Sequence, residues 1–216
     1  MDPHSFFLVL ACVIAAASSL YYLRTIRAGL TKPSRSSYWI WFVLGLLIFP
    51  SYVMSGGENW PLNAVNTIFC GVIAWHSVRY GEGGTLSKWD KLAVGIALLS
   101  VPAWIALAIA LPSKEAALPV FVVQMVADVF ASFVIYEKTW NRPEHEDKSA
   151  WLLSVVAFAF NSLAVSHWTV QDAVINGWMG GTAVAITAIL FLRPHSTAST
   201  TTTTTAATTP AAALET

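Results

Sequence analysis

Seven long stretches of this chain carry almost no charge. They run roughly over residues 5–23, 38–54, 62–78, 92–111, 118–136, 150–165 and 172–192. Asp172 opens the last of them, and Asp128 is the only carboxylate deep inside any. A membrane span takes about 20 mostly apolar residues. Hydrocarbon offers no partner to a free backbone N–H or C=O, so a span must be a helix or part of a closed barrel. These stretches are continuous and lack the period-2 alternation of barrel strands, which excludes the barrel. Only 11% of the 216 residues are charged, against roughly 25% in a soluble domain. The expectation is an all-α transmembrane protein of seven helices in a lipid bilayer. The first stretch lacks a basic leader and a small-residue cleavage site, so it reads as a span and not as a cleaved signal.

The breaks between stretches hold turn and loop residues: Lys32-Pro33-Ser34-Arg35, Ser55-Gly56-Gly57-Glu58, Gly81-Glu82-Gly83-Gly84, Pro112-Ser113-Lys114, Asn141-Arg142-Pro143-Glu144 and His167-Trp168-Thr169. Their basic residues alternate by side. Arg24, Arg27, Lys32 and Arg35 follow the first stretch. Arg79, Lys88 and Lys91 follow the third, Lys138, Arg142 and Lys148 the fifth, and Arg193 the seventh. Lys114 alone lies on the other side. The positive-inside rule then predicts an N-out, C-in topology. Formal net charge is zero, which argues against a nucleic-acid partner.

The chain repeats itself. Lys32 and Arg142, Pro33 and Pro143, Trp41 and Trp151, and Asn66 and Asn176 are each 110 positions apart. That offset maps the first three stretches onto the last three and leaves the fourth as a connector. The expected organisation is a first triple-helix unit over 1–80, a connector over 81–116 and a second triple-helix unit over 117–193. Residues 194–216, almost all Thr and Ala, lack an apolar face and read as a disordered tail whose end resembles a cloning scar. Parallel repeats about an axis along the membrane normal are a transporter plan, with the solute site between them.

This 3-1-3 arrangement, with an Asn in both the third and the seventh span, resembles the SWEET/PQ-loop superfamily. The stretch from Lys32 to Trp39 is also similar to an uncharacterised group of bacterial seven-span proteins. The resemblance implies a carrier in the plasma (inner) membrane. Asn66 and Asn176 would line a central cavity for a small polar solute, sugar-like or zwitterionic, with Trp side chains such as Trp75 and Trp178 nearby. A non-transporting receptor or sorting protein, or a structural protein, on the same scaffold is the alternative. Self-association into a homo-oligomer is left open.

The residues add their own argument. Asp128 costs roughly 3 kcal/mol to insert, so it either lines a polar cavity, with proton or cation coupling, or holds helices together. Gln124, Asp128, Ser132 and Tyr136 recur every four residues and form one polar stripe. Asn66, Asn176 and Asn161 read either as solute ligands or as hydrogen-bonded helix contacts. Trp75 and Trp178 point around their helices away from Asn66 and Asn176, which favours packing or lipid-facing roles over a place at the solute. Trp41 and Trp151 read as interfacial anchors, and Glu144, Glu146 and Asp147 as a solvated acidic cluster. His76, near the end of the third span, is a candidate proton relay. Gly180-Gly181 reads as close helix packing. Cys12 and Cys70 read as small apolar residues, with a bridge or metal site the alternative. No enzyme motif, metal spacing or cofactor fingerprint is present, and the last span has no Lys for a Schiff base.

Overall fold

The computed structural model describes residues 2–54, 56–82, 88–110 and 113–193. Among them it has seven α-helices, one short 3-10 turn and no strand. The helices are α1 (Pro3–Arg27), α2 (Arg35–Met54), α3 (Trp60–Tyr80), α4 (Lys88–Ala110), α5 (Ser113–Asn141), α6 (Lys148–Leu163) and α7 (Val170–Leu192). The 3-10 turn covers Pro143–His145, and Ser34 and Glu82 form an isolated bridge. Each apolar stretch falls on its own helix, although α6 ends at Leu163, two residues short of its stretch, and Leu111 lies outside the described residues. Among the described residues three helices, α1, α2 and α7, are long and apolar enough to cross a membrane. The tail from 194 onward, the loop glycines Gly83 and Gly84, and Pro112 lie outside the described residues.

Several helices run past their apolar stretches. Arg24 and Arg27, read as loop, form the last turn of α1, and Lys138 belongs to the last turn of α5. A helix can continue into the polar layer, and its C-terminal carbonyls favour cations there. Starts are set by caps. Asp2 accepts from the Ser5 amide at 3.2 Å, and Asp147 accepts from the Ala150 amide at 2.8 Å. Thr169 and Asp172 form a reciprocal capping box on α7. After α1, Gly29 takes φ +74°, a conformation that L side chains rarely adopt.

Packing pairs α1 with α6 and α3, α2 with α3 and α5, α5 with α4 and α7, and α6 with α7; α4 also touches α2. One apolar cluster, including Leu44, Ala97, Phe121, Ala131 and Ile175, joins α2, α4, α5 and α7. A second, including Tyr22, Ile26, Tyr38, Ile73 and Ala150, joins α1, α2, α3 and α6. The approach of α2 to α3 depends on Gly45, where an added Cβ would meet Thr67 Oγ1 at 2.6 Å. Gly180 packs against Phe158, whose Cβ would lie 3.3 Å from an added methyl, while Gly181 has open space beside it. Only half of the expected Gly-Gly contact is therefore made.

Candidate functional site

Between the helices lies a cavity of about 160 Å³. Its walls come from α1, α2, α3, α5, α6 and α7, and no described residue of α4 lines it. Asp128 and Ser132 enter from α5, and Asn66, Asn63 and Thr67 from α3. Asp128 is 5% exposed. Its Oδ2 accepts the Trp178 indole N–H at 2.7 Å, and its Oδ1 has no hydrogen-bond partner among the described residues. The Asn66 amide likewise makes no hydrogen bond among them, and the Ser132 hydroxyl is buried without a partner.

The rest of the polar stripe behaves differently. Gln124, one turn before Asp128, is fully buried outside the cavity lining, and neither of its amide atoms has a partner among the described residues. Tyr136, one turn beyond Ser132, donates to Thr182 Oγ1 at 2.9 Å. A four-residue step advances about 400° around a helix, a drift of 40°. The stripe therefore winds off the cavity at both ends, and only Asp128 and Ser132 line it.

The asparagine pair is split. Asn66 reaches the cavity, but Asn176 does not line it. The Asn176 Oδ1 accepts from Asn161 Nδ2 at 2.7 Å, and its Nδ2 donates to the Asp172 carbonyl at 2.9 Å. The first bond joins α6 to α7 and the second lies within α7, so both amide atoms of Asn176 are occupied. The two tryptophans of the sequence reading also part. Trp178 sits against Asp128. Trp75 is 73% exposed, nine residues and hence half a turn around from Asn66. With Arg27, His76, Arg79 and Tyr80 it lines a separate surface pocket. His76 Nδ1 lies 2.9 Å from the Val72 carbonyl, so it carries the proton and donates, and Nε2 accepts from Arg27. Cys12 and Cys70 are free thiols, and Cys70 lines the cavity.

Trp41 and Trp151, read from the sequence as interfacial anchors, both line the cavity. The signal that could have placed them was the repeat itself. Ser18 and Asp128, Tyr22 and Ser132, Trp41 and Trp151, Ile48 and Phe158, Phe69 and Met179, and Ile73 and Ala183 are all lining residues. Each of these six pairs is separated by 110 positions. Twelve of the 23 lining residues thus fall into pairs at the same offset that relates the two Pro loops.

Polar networks tie the helices at both ends. At the Lys/Arg-rich end Glu146, expected in solvent, is 4% exposed. It pairs with Lys138, and it accepts from the Tyr22 hydroxyl at 2.7 Å and the Trp151 indole at 2.9 Å. Lys138 also donates to the Lys32 carbonyl at 2.5 Å. The first of the two Pro loops folds over the second, with the Lys32 amide donating to the His145 carbonyl at 3.1 Å. This burial is the reason the acidic cluster is not uniformly solvated: Glu144 stays exposed, and Asp147 caps α6. Glu82, after α3, pairs with Arg142 and lies 3.0 Å from His145 Nδ1. Partial burial first, then the Lys32, Lys138 and Arg142 charges, hold His145 below the usual His range, outweighing the pull of Glu144 in the other direction. Its contact with Glu82 at neutral pH is therefore a hydrogen bond donated by the neutral ring.

At the opposite end the Tyr52 hydroxyl donates to Asp172 and accepts from the Asn59 amide at 3.1 Å. Asn59 Nδ2 donates to the Asn161 carbonyl at 2.8 Å, continuing into the Asn161–Asn176 contact. Nearby, Glu58 accepts from the Ser166 hydroxyl at 2.5 Å, a hydrogen bond that lowers its carboxyl below the ordinary range.

Comparison with family models, curated proteins and solved structures finds no match to this chain.

Proposed function

We propose that this chain is a membrane carrier of SWEET-like design. Seven spanning helices form two parallel triple-helix units, α1–α3 and α5–α7, joined by α4, with the N-terminus outside and the C-terminus inside an inner membrane. A small polar solute binds between the units. Asn66 hydrogen-bonds it, and Asp128 supplies charge or couples it to a proton or cation.

The observation that carries this reading is the pairing of the cavity walls, six residue pairs at one offset of 110. Two copies of one unit facing each other across an axis along the membrane normal bring equivalent positions to one central space. Helix packing supports the same relation. Exchanging α1 with α5, α2 with α6 and α3 with α7 turns the α1–α6 contact into α2–α5, α1–α3 into α5–α7, and α2–α3 into α6–α7, and all six contacts are present. The connector α4 has no counterpart and contributes nothing to the cavity wall among its described residues.

The test is solute uptake into proteoliposomes with and without an imposed pH gradient. Asn66→Ala and Asp128→Asn should each lower uptake at least tenfold. Unchanged uptake in both variants overturns the site, and no uptake of any polar solute by the unaltered protein overturns the carrier.

A further inference from the structure

The inventory of the cavity narrows its solute, on the condition that the cavity is the solute site. Among the described residues its lining holds one carboxylate, Asp128, and no Lys, Arg or His. That carboxylate is buried with one hydrogen bond and a free Oδ1, a costly state for a charge unless a cation or further donors complete it. A zwitterion would bring its own carboxylate into a space with no basic group to meet it.

Three hydroxyls of the wall are spent on backbone carbonyls. Ser18 donates to the Ala150 carbonyl at 2.7 Å, Ser154 to the same carbonyl at 3.2 Å, and Thr67 to the Asn63 carbonyl at 2.8 Å. The side chains of Ser19, Asn63, Asn66 and Ser132 make no hydrogen bond among the described residues and stay open to a solute hydroxyl. Aromatic rings outnumber them: seven of the 23 lining residues are Phe, Tyr or Trp. Tyr22 and Trp151 give their polar tips to Glu146, which is not part of the lining, so their contribution to the cavity is ring carbon. Tyr38 and Trp41 meet edge to face at 5.4 Å. Ring faces beside a carboxylate are the recognition chemistry of quaternary and alkyl ammonium groups.

Size sets the last limit. A cavity of about 150 Å³ in another protein accepts benzene, and this one is about 160 Å³. We propose that the cavity binds a small organic monocation of roughly six or seven heavy atoms, its ammonium held by Asp128 and the rings and a short hydroxyl-bearing arm by Asn66.

The experiment is calorimetric titration of the purified full chain in detergent, alongside uptake into liposomes. The probes are choline and tetramethylammonium. The comparators are 3,3-dimethylbutan-1-ol (the uncharged analogue of choline), glycine betaine and glucose. Saturable choline binding, at least tenfold tighter than that of each comparator, supports the proposal, and Asp128→Asn should then bind choline at least tenfold more weakly. The uncharged analogue makes its test on the unaltered protein, so a variant that fails to fold leaves the answer standing. Equal binding of choline and its uncharged analogue, tighter binding of glucose or betaine, or no saturable binding of either cation overturns it. Choline binding without uptake keeps the ammonium site and overturns the carrier. Glucose uptake without cation binding keeps the carrier and overturns the ammonium site.

Discussion

At the Lys/Arg-rich end the helices converge on one buried carboxylate, whereas at the opposite end they are joined by a chain of amides and a Tyr–Asp contact. Glu146 takes Lys138, Tyr22 and Trp151 together, so α1, α5, α6 and the second Pro loop meet at a single side chain. Across the molecule the load is spread over Tyr52, Asn59, Asn161, Asp172 and Asn176. Asp172 keeps the Thr169 hydroxyl at 2.6 Å and amide at 3.2 Å, at the N-terminus of α7 where a carboxylate is favoured. The difference predicts how each end fails. Losing one member of a buried ion pair strands the other, while losing one link of the amide chain leaves most of the rest satisfied. Substitutions should therefore weaken the Lys/Arg-rich end in one step and the opposite end by increments.

The largest expected effect is at Glu146. Glu146→Ala strands the Lys138 ammonium, whose side chain is 9% exposed, and removes the acceptor for Tyr22 and Trp151. Breaking a buried pair from one side costs about 3–5 kcal/mol, to be read as a fall in thermal unfolding midpoint in detergent. Adding Lys138→Met to a Glu146→Leu background should recover part of that loss, because no unpaired charge remains buried. A loss below about 1 kcal/mol in Glu146→Ala, the range of a surface pair, would erase the contrast between the ends.

Tyr52→Phe comes next. It deletes the hydroxyl between Asp172 and the Asn59 amide but leaves Asp172 its Thr169 donors. A hydrogen bond to a charged group is worth about 1.5–3 kcal/mol, and the retained donors put this one near the lower figure. The same thermal measurement checks it. A cost equal to that of Glu146→Ala would show that this end, too, hangs on one group.

The apolar stretches made the seven helices readable, because hydrocarbon-length runs without charge have few alternatives. Asp128 and Asn66 were readable for the same reason, as costly polar groups that need a polar surrounding. Rotation about the helix separated Asn176 from Trp178 and Asn66 from Trp75 correctly. What each residue met was not readable, since it depends on the neighbouring helix. Asn176 met Asn161 from α6, and Trp178 met Asp128 from α5. Glu146 was misread because its burial comes from the two Pro loops folding over each other, a contact between segments more than 100 residues apart. Trp41 and Trp151 were misread because closeness to the end of an apolar run was weighed above their place in the repeat.

The smallest effect is a pH dependence confined to the Lys/Arg-rich end. His145 has its folded pKa held below the ordinary value of about 6.5. The unfolded chain therefore binds this proton at higher pH than the folded one does. Stability contributed by the neutral ring is present above about pH 6.5 and is lost as pH falls through that value toward the lowered folded pKa. Protonation there adds a cation beside Lys32, Lys138 and Arg142, with Glu144 and Glu82 the acids that offset it. Thermal midpoints should thus decline on acidification from pH 7 to 5.5, and His145→Gln, which keeps a donor for Glu82, should flatten that decline. The slope lost in His145→Gln should also be lost in Glu146→Ala if the two Pro loops separate there, and should survive in Tyr52→Phe. A slope unchanged in His145→Gln would assign the acid sensitivity to another group and remove pH from the contrast between the two ends.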